Sequence, residues 1–290
     1  MNDTIRAAFW MSGAIVSFTS MAIAGRAVSF ELDTFEIMMY RSFVGIILVV
    51  AVAGLAGTLP QVNRRNMGLH FIRNLSHFAG QNLWFYALTV IPLAQVFALE
   101  FTSPIWAILL SPLILGEKLR PIGLLAALIG FFGILMVARP NPQALDVGQI
   151  SAACAAIGFA LSALFTRKLT RTESITCILF YLTVMQAGFG VIFAGFDGDI
   201  ALPSAESTPW IVLIACAGLV AHFCLTTALR LAPASVVMPI DFIRLPLIAV
   251  VGMTLYGEQI DIWVLVGAAV IFAGNYLNIL SQLRLKPAPK

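Results

Sequence analysis

Apolar residues run through this chain in long blocks, separated by short segments that carry Gly, Pro or charged side chains. A helix needs about 20 apolar residues to cross the hydrocarbon core of a bilayer. On this criterion the pattern predicts ten spanning helices, at residues 5–25, 35–57, 68–90, 93–115, 121–139, 147–166, 175–196, 209–230, 234–256 and 262–282. The loops between them leave no room for a soluble domain. We therefore expect an all-α integral membrane protein.

Two stretches carry charge and proline inside an apolar run. They are residues 93–117, with Glu100, Pro104 and Pro112, and residues 234–258, with Asp241 and Pro246. A carboxylate at membrane depth normally faces a bundle interior or a watery cavity. A proline inside a helix kinks it, which is tolerated where neighbours or water satisfy the freed carbonyls. Broken helices in corresponding places of two halves indicate a transport site.

The two broken stretches are 141 positions apart, and the same offset relates other residues. The matches include Phe18/Phe159, Arg26/Arg167, Tyr40/Tyr181, Pro92/Pro233, Gly116/Gly257 and Gly133/Gly274. Each half has five predicted helices, an odd number, so the second half would insert in the opposite sense. We expect two inverted-topology repeats, residues 1–140 and 141–290, around a midplane site. Pro104 has Leu245 as its strict counterpart, so the two breaks need not be equivalent.

Composition agrees with a membrane location. Hydrophobic residues make up 60% of the chain and charged residues 11%, whereas soluble domains carry about 25% charged residues. The net charge of +3 gives no reason to expect a nucleic-acid partner. The four cysteines fall in apolar runs at unrelated spacings, which predicts neither disulfides nor a metal site. The first run ends like a secretory cleavage site, but its length favours a retained helix.

Basic residues predict the orientation. With a cytoplasmic N-terminus, the inner segments hold twelve Lys and Arg residues and the outer segments hold two, Arg26 and Arg139. Cytoplasmic loops of membrane proteins carry such an excess. We therefore expect a multi-pass protein of a bacterial inner membrane with both termini in the cytoplasm.

Few charges lie inside the predicted spans: Arg41, Arg73, Glu100, Asp241 and Arg244, together with His77 and His222. Their estimated depths predict two ion pairs, Arg41–Glu100 and Arg73–Asp241, acting as gates or only fixing helix packing. Arg244 is then left over, unless it pairs with Asp241 three residues before it. An unpaired arginine, Arg244 or another, is a candidate to receive a substrate carboxylate. The alternatives are backbone carbonyl partners or a route to solvent.

The third predicted helix is the most polar. Arg73, His77 and Gln81 recur at i, i+4 and i+8 and therefore form one stripe, which must face protein or water. The stripe is either a cavity wall or a set of interhelical hydrogen bonds. His222 lies 141 positions from Gln81, so the two are expected near each other; either histidine couples to protons or simply packs.

Aromatic residues at depth complete the expected cavity. Trp84 and Phe101 are the two that we assign to its wall, where bulky or aromatic solute groups would pack. Core packing is the alternative for each of them.

The chain resembles the drug/metabolite transporter superfamily in its two-domain EamA-type branch. The resemblance rests on Ala87-Leu88, Pro92, Ala94, Pro104, Gly116-Glu117-Lys118, Gly123 and Gly133, and on Ala228-Leu229, Pro233, Ser235, Gly257-Glu258, Gly267 and Gly274. Within that branch the chain looks most similar to bacterial YddG-type exporters of amino acids and metabolites. The resemblance implies a ten-helix bundle with a central cavity, and export of small organic solutes without ATP.

No sequence motif indicates a catalytic centre or a cofactor. The chain has no GxxxxGK[ST] phosphate loop, no HExxH and no GxSxG, so we expect neither an enzyme nor a bound cofactor. The expected function is export of amino acids, including aromatic ones, or similar metabolites by alternating access. Efflux of cationic drugs and uptake of a metabolite are alternatives, and a channel or an intramembrane enzyme has less support. The expected partners are the solute and the lipid bilayer, with a homodimer as one possible assembly.

Overall fold

The computed structural model describes residues 3–116, 121–139, 146–196, 198–259 and 262–283, and within these ranges it is helical, with no strand. The α-helices are α1 (Asp3–Val28), α2 (Thr34–Leu55), α3 (Met67–Val90), α4 (Leu93–Glu100), α5 (Ser103–Leu115), α6 (Pro121–Ala138), α7 (Val147–Leu169), α8 (Ile175–Ala194), α9 (Thr208–Leu231), α10 (Ala234–Ile240), α11 (Arg244–Tyr256) and α12 (Ile262–Leu283). Short 3₁₀ helices at Leu59–Gln61 and Asp241–Ile243 complete the described elements.

Several of these helices suit a bilayer. Among the described residues, six segments are long and apolar enough to cross a membrane: Asp3–Val28, Thr34–Leu55, Leu93–Leu115, Val147–Leu169, Ile175–Ala194 and Thr208–Leu231. Shorter apolar helices cover Pro121–Met136, Arg244–Tyr256 and Leu265–Gly274. Large apolar side chains point outward, such as Phe9, Leu55 and Leu113 at 69%, 91% and 83% exposure. Such a surface matches hydrocarbon, and the protein is a multi-pass membrane protein.

Helix boundaries repeat along the chain. Helices begin 141 positions apart at Thr34 and Ile175, Met67 and Thr208, Leu93 and Ala234, Ser103 and Arg244, and Pro121 and Ile262. The breaks therefore fall at equivalent positions, although Pro104 and Pro246 are not strict counterparts. Helices α5 and α11 both end at a glycine in the left-handed region, Gly116 (φ 71°) and Gly257 (φ 64°), where a residue without a Cβ avoids strain.

The two halves of the chain interlock. Helix α1 packs mainly on α9 and α3 on α7, while α2 packs on α8 and α6 on α12. The sequence offset matches α1 to α6 with α7 to α12. Under this matching the α1–α9 pair corresponds to the α7–α3 pair, and the α2–α8 and α6–α12 pairs each correspond to themselves. The bundle thus has the contact pattern of a pseudo-two-fold axis. Close approach of α6 and α12 requires glycine, because a Cβ on Gly133 would lie 2.7 Å from the Gly267 carbonyl oxygen.

Contacts at the two ends of α9 show that the equivalent helices α1 and α7 run in opposite directions. Glu31, just after α1, accepts hydrogen bonds from Ser204 and Ser207, just before α9. Arg167, near the end of α7, donates to the Leu229 carbonyl at the far end of α9. The ends of α1 and α7 therefore lie at opposite ends of the bundle. We call the end with Glu31 and Ser204 the first face, and the end with Arg167 and Leu229 the second face.

Candidate functional site

A cavity lies in the middle of the bundle, between the two halves. Its volume is about 60 Å³, enough for a few water molecules. Its described lining consists of Met11, Phe18, Met21, Arg73, His77, Gln81, Trp84, Glu100, Ser103, Phe159, Ser162, Ala163, Thr166, His222, Leu225, Thr226, Met238, Asp241 and Arg244. Apolar side chains provide most of this surface, and charged and imidazole groups converge on it.

The lining is built from matched positions of the two halves. Six pairs of lining residues lie 141 positions apart: Phe18 and Phe159, Met21 and Ser162, Gln81 and His222, Trp84 and Leu225, Glu100 and Asp241, and Ser103 and Arg244. The pseudo-axis therefore passes through the cavity. Both halves contribute equivalent positions to a site on this axis, which is the arrangement expected of inverted-repeat carriers.

The two helix breaks supply the charged centre of the site. Glu100 ends α4, and Asp241 begins the 3₁₀ turn that follows α10. Nη2 of Arg244 donates to Glu100 Oε1 and to Asp241 Oδ2, each at 2.5 Å. Trp84 Nε1 donates to the other Glu100 oxygen at 2.7 Å. The Arg244 guanidinium also faces the rings of Phe18, Phe97 and Phe101 at 4.9–5.4 Å, so aromatic faces surround the cation.

This geometry corrects the predicted ion pairs. Glu100 pairs with Arg244 rather than Arg41, and Asp241 pairs with Arg244 rather than Arg73. Depth along a helix predicted which charges share a level in the membrane, but it carries no information on which way each side chain points. The local i,i+3 contact between Asp241 and Arg244 was the alternative, and it is the one that forms.

Of the three arginines inside the predicted spans, Arg73 and Arg41 are therefore the two without a carboxylate partner among the described residues. Arg73 is 2% exposed; its Nε donates to Thr166 Oγ1 at 3.0 Å and its Nη1 to Asn74 Oδ1 at 2.7 Å. Arg41 lies outside the central cavity, between α2, α8 and α9, and its Nη1 contacts Met21 Sδ at 3.6 Å. Arg73, rather than the predicted Arg244, is thus the cavity-lining arginine without an acidic partner among the described residues.

Two histidines meet at the cavity. The rings of His77 and His222 lie 4.6 Å apart, and the rings of Phe159 and Phe18 lie against them at 6.1 Å and 5.8 Å. His77 Nε2 and both ring nitrogens of His222 make no hydrogen bond to any described residue. Gln81 lines the same cavity. These polar atoms are buried and available to water or to a solute.

The cavity is displaced toward the second face. Thr166, Thr226 and Met238 line it, while their counterparts Gly25, Phe85 and Phe97 belong to closely packed structure. Phe85 lies so close to Gly25 that a Cβ there would be 2.3 Å from the ring. Equivalent positions are thus open on one side of the site and closed on the other.

The sequence predicted much of the lining and missed some of it. Of the residues assigned to the cavity, His77, Gln81, Trp84, His222, Asp241 and Arg244 line it, and Phe101 lies behind Arg244. Met21, Ser162 and Leu225 were missed because each reads as an ordinary packing residue. Applying the offset of 141 to Trp84 would have found Leu225.

The fold and the site together define a class: a polytopic membrane carrier with a buried site between two repeats. The model of the EamA-like transporter family matches residues 5–139 and again residues 146–280. The chain therefore belongs to the EamA-like transporter family, and the resemblance seen in the sequence is confirmed. It is a membrane transporter and not an enzyme.

Curated relatives are named after two kinds of solute. A protein of Brucella anthropi named "Riboflavin transporter" is 31% identical, with 75% of this chain and 78% of that protein covered. Another "Riboflavin transporter", from Vibrio cholerae, is 26% identical over 92% and 90% of the two chains. An "S-adenosylmethionine uptake transporter" of Rickettsia felis is 22% identical over 97% and 96%.

A solved crystal structure shares the fold. It superposes with a TM-score of 0.73 and covers 97% of this chain and 99% of its own, at 17% sequence identity. This likeness supports the helical fold of the described residues.

Proposed function

We propose that the protein is a secondary carrier for a metabolite that combines a fused nitrogen heterocycle with a polyhydroxylated side chain, with riboflavin as the first candidate and uptake as the direction. Riboflavin and S-adenosylmethionine, after which relatives are named, both join a fused nitrogen heterocycle to a hydroxylated five-carbon unit, which is an open chain in the first and a ribose ring in the second. Export of amino acids stays a prediction from the sequence.

The observation that carries the proposal is the composition of the cavity. Phe18, Phe159 and Trp84 offer flat faces on which a heteroaromatic ring stacks. His77, His222 and Gln81 offer hydrogen-bonding atoms in the same cavity. Six atoms of lining residues lack a partner in the described protein, namely His77 Nε2, His222 Nδ1, His222 Nε2, Thr226 Oγ1, Asp241 Oδ1 and Arg244 Nε. A purely apolar solute would leave them unsatisfied.

The transport cycle follows from the two halves. We propose that residues 1–140 and 141–290 form inverted-topology repeats, that all ten predicted segments span, and that both termini lie in the cytoplasm of a bacterial inner membrane. The second face is then cytoplasmic. Rocking of one repeat on the other would exchange roles between Thr166, Thr226 and Met238 and their counterparts Gly25, Phe85 and Phe97. The arrangement seen here has the first face closed, and its cavity of about 60 Å³ is too small for riboflavin, so the solute-binding state is a more open one.

Competition for uptake tests the solute class. Purified protein in proteoliposomes is given labelled riboflavin against an excess of unlabelled lumichrome, ribitol, S-adenosylmethionine or phenylalanine. We expect riboflavin and lumichrome to suppress uptake strongly, because the ring provides most of the contact area, and ribitol alone to have little effect. Absence of riboflavin uptake above protein-free vesicles would contradict the proposal.

Amino-acid transport is a second candidate because opposite charges face one cavity. Arg73 has no carboxylate partner among the described residues, and Asp241 Oδ1 accepts no hydrogen bond from them. Such a pair suits the carboxylate and ammonium groups of a zwitterion. Saturable uptake of labelled phenylalanine that riboflavin does not suppress would favour this candidate over the first.

A further inference from the structure

A second cluster of chemically active side chains lies at the second face, about one helical turn along α3 from the cavity-lining Arg73. His70 on α3, Glu173 in the loop before α8 and Cys177 on α8 have ligand atoms that all lie within 4.8 Å of one another. All three residues are buried, at 1%, 7% and 0% exposure. They share no local spacing, because His70 and Cys177 are 107 positions apart. The sequence therefore gave no indication of a metal site here.

We propose that His70, Glu173 and Cys177 form a binding site for a zinc-like transition metal ion. An imidazole nitrogen, a thiolate sulfur and a carboxylate oxygen are the donors that Zn²⁺ and Co²⁺ accept. Bond lengths of about 2.0–2.3 Å place ligand atoms somewhat closer together than they are here, so small side-chain rotations complete the site. The fourth position belongs to water or to the Asn63 carbonyl oxygen, which lies 3.7 Å from Cys177 Sγ.

The surroundings of the cluster fit this assignment. Cys177 Sγ lies 3.9 Å from His70 Nε2, and His70 Nδ1 has no hydrogen-bond partner among the described residues. The nitrogen that faces the thiol, Nε2, is the one that would bind the ion. The amides of Asn63, at 2.7 Å, and Asn66 donate to the two Glu173 oxygens and hold the carboxylate in place. Such outer hydrogen bonds are typical of metal sites.

Glu173 is set to bind as a carboxylate. Both of its oxygens accept hydrogen bonds from side-chain amides, which is the pattern of a carboxylate. Asn63 is exposed, so an ion reaches the site from the aqueous phase at this face.

The site would join the two halves of the carrier. His70 and the asparagines belong to the first half, and Glu173 and Cys177 to the second. A bound ion would tie the halves together at the second face and oppose their relative motion. This consequence rests on the proposed function, whereas metal binding itself does not.

Cobalt provides the direct test. Co²⁺ is titrated into the purified protein without any transported solute, and the thiolate-to-cobalt absorption band is recorded. We expect a band that Zn²⁺ abolishes, that is absent in Cys177→Ser, and that is retained in Cys224→Ser, a matched change at another buried cysteine. His70→Gln and Glu173→Gln keep the thiol but should weaken Co²⁺ binding roughly 100-fold. No band in the wild-type protein, or a band that survives Cys177→Ser, would overturn the site.

Two further readouts separate the claims. Zn²⁺ should raise the unfolding temperature of the wild-type protein, a result that needs no variant to fold. Zn²⁺ should also slow solute uptake by the wild-type protein and by Cys224→Ser but not by Cys177→Ser. Binding without slowing would contradict the tie between the halves. A failure of riboflavin uptake would leave the cobalt spectrum unchanged and would count against the proposed function alone.

Discussion

Glu100 and Asp241, 141 positions apart, both accept hydrogen bonds from the same nitrogen of Arg244, at 2.5 Å each. They occupy equivalent places at the breaks of two equivalent helices. One cation thus bridges the acids that the two halves bring to the pseudo-axis, and the three groups form a single unit in the bundle interior. Removing one member of such a unit destabilises the folded protein by more than the intact unit stabilises it, because the remaining charges are left without a partner in the bundle interior.

Arg244→Met should therefore destabilise the protein strongly. The variant leaves two carboxylates side by side in the bundle, and we expect a loss of about 3–5 kcal/mol in the free energy of unfolding. Equilibrium unfolding in mixed micelles measures it. Adding Glu100→Gln and Asp241→Asn to the variant should recover part of the loss, because no unpaired charge then remains.

The matched control is Arg26→Met. Arg26 lies 2.7 Å from Glu258, but both side chains are partly exposed, at 23% and 17%. Its loss should be about 1 kcal/mol or less. Equal losses for the two arginine variants would contradict the role given to burial.

Trp84→Phe tests the hydrogen bond that fixes Glu100. The ring is kept while the 2.7 Å bond from Nε1 is lost, so we expect about 1.5–3 kcal/mol of destabilisation, as for other bonds to charged groups. Trp106→Phe, at a tryptophan that is 36% exposed, should change stability by much less. The comparison is made by the same unfolding measurement, and a neutral Trp84→Phe would show that the contact contributes nothing.

Gly133→Ala tests the packing of α6 on α12. The added methyl would lie 2.7 Å from a backbone oxygen, which cannot move aside easily, so a loss of about 1–3 kcal/mol is expected. Gly130→Ala is the control in the same helix, because a Cβ there meets nothing within 4 Å. Since alanine favours helix by up to about 1 kcal/mol, Gly130→Ala should be neutral or stabilising. A reversed order of the two variants would refute this packing.

Glu31 predicts a pH dependence at the first face. Hydrogen bonds from the Ser207 hydroxyl and the Ser204 backbone lower the pKa of Glu31 below its ordinary value of 4.5. A lowered pKa stabilises the folded protein above the ordinary value, and this contribution is lost as the pH falls through the lowered value. The wild type should thus be more stable than Glu31→Gln by a constant amount above about pH 4.5, and this advantage should shrink at lower pH.

The control for this titration is Glu206→Gln, at an exposed residue of the loop that carries Ser204 and Ser207. Its difference from the wild type should stay small across the range. If the stability advantage of the wild type over Glu31→Gln grew as the pH fell, the hydrogen bonds from Ser204 and Ser207 could not be the cause of the pH dependence.

The sequence predicted the helices and the position of the site well, but it predicted the side-chain contacts within the site poorly. The offset of 141 brought Gln81 and His222 to one cavity and aligned Glu100 with Asp241, because a duplicated backbone puts equivalent positions at the same distance from its axis. Contacts between charges depend on side-chain direction across a helix break, and no periodicity encodes it. For this reason the predicted ion pairs Arg41–Glu100 and Arg73–Asp241 were wrong. The cluster of His70, Glu173 and Cys177 joins two helices and a loop that are distant in the sequence, so it has no signature along the chain.

The central claim is that a solute binds in the cavity formed by matched positions of the two halves. Titration of riboflavin fluorescence with purified protein tests it most directly, using Gln81→Leu, His222→Leu and the control Gln149→Leu, which lies outside the cavity. We expect each of the two cavity variants to raise the dissociation constant about tenfold, the loss of roughly one good hydrogen bond, and the control to leave it unchanged. Riboflavin binding of equal affinity in all three variants, or no binding to the wild type, would contradict the account.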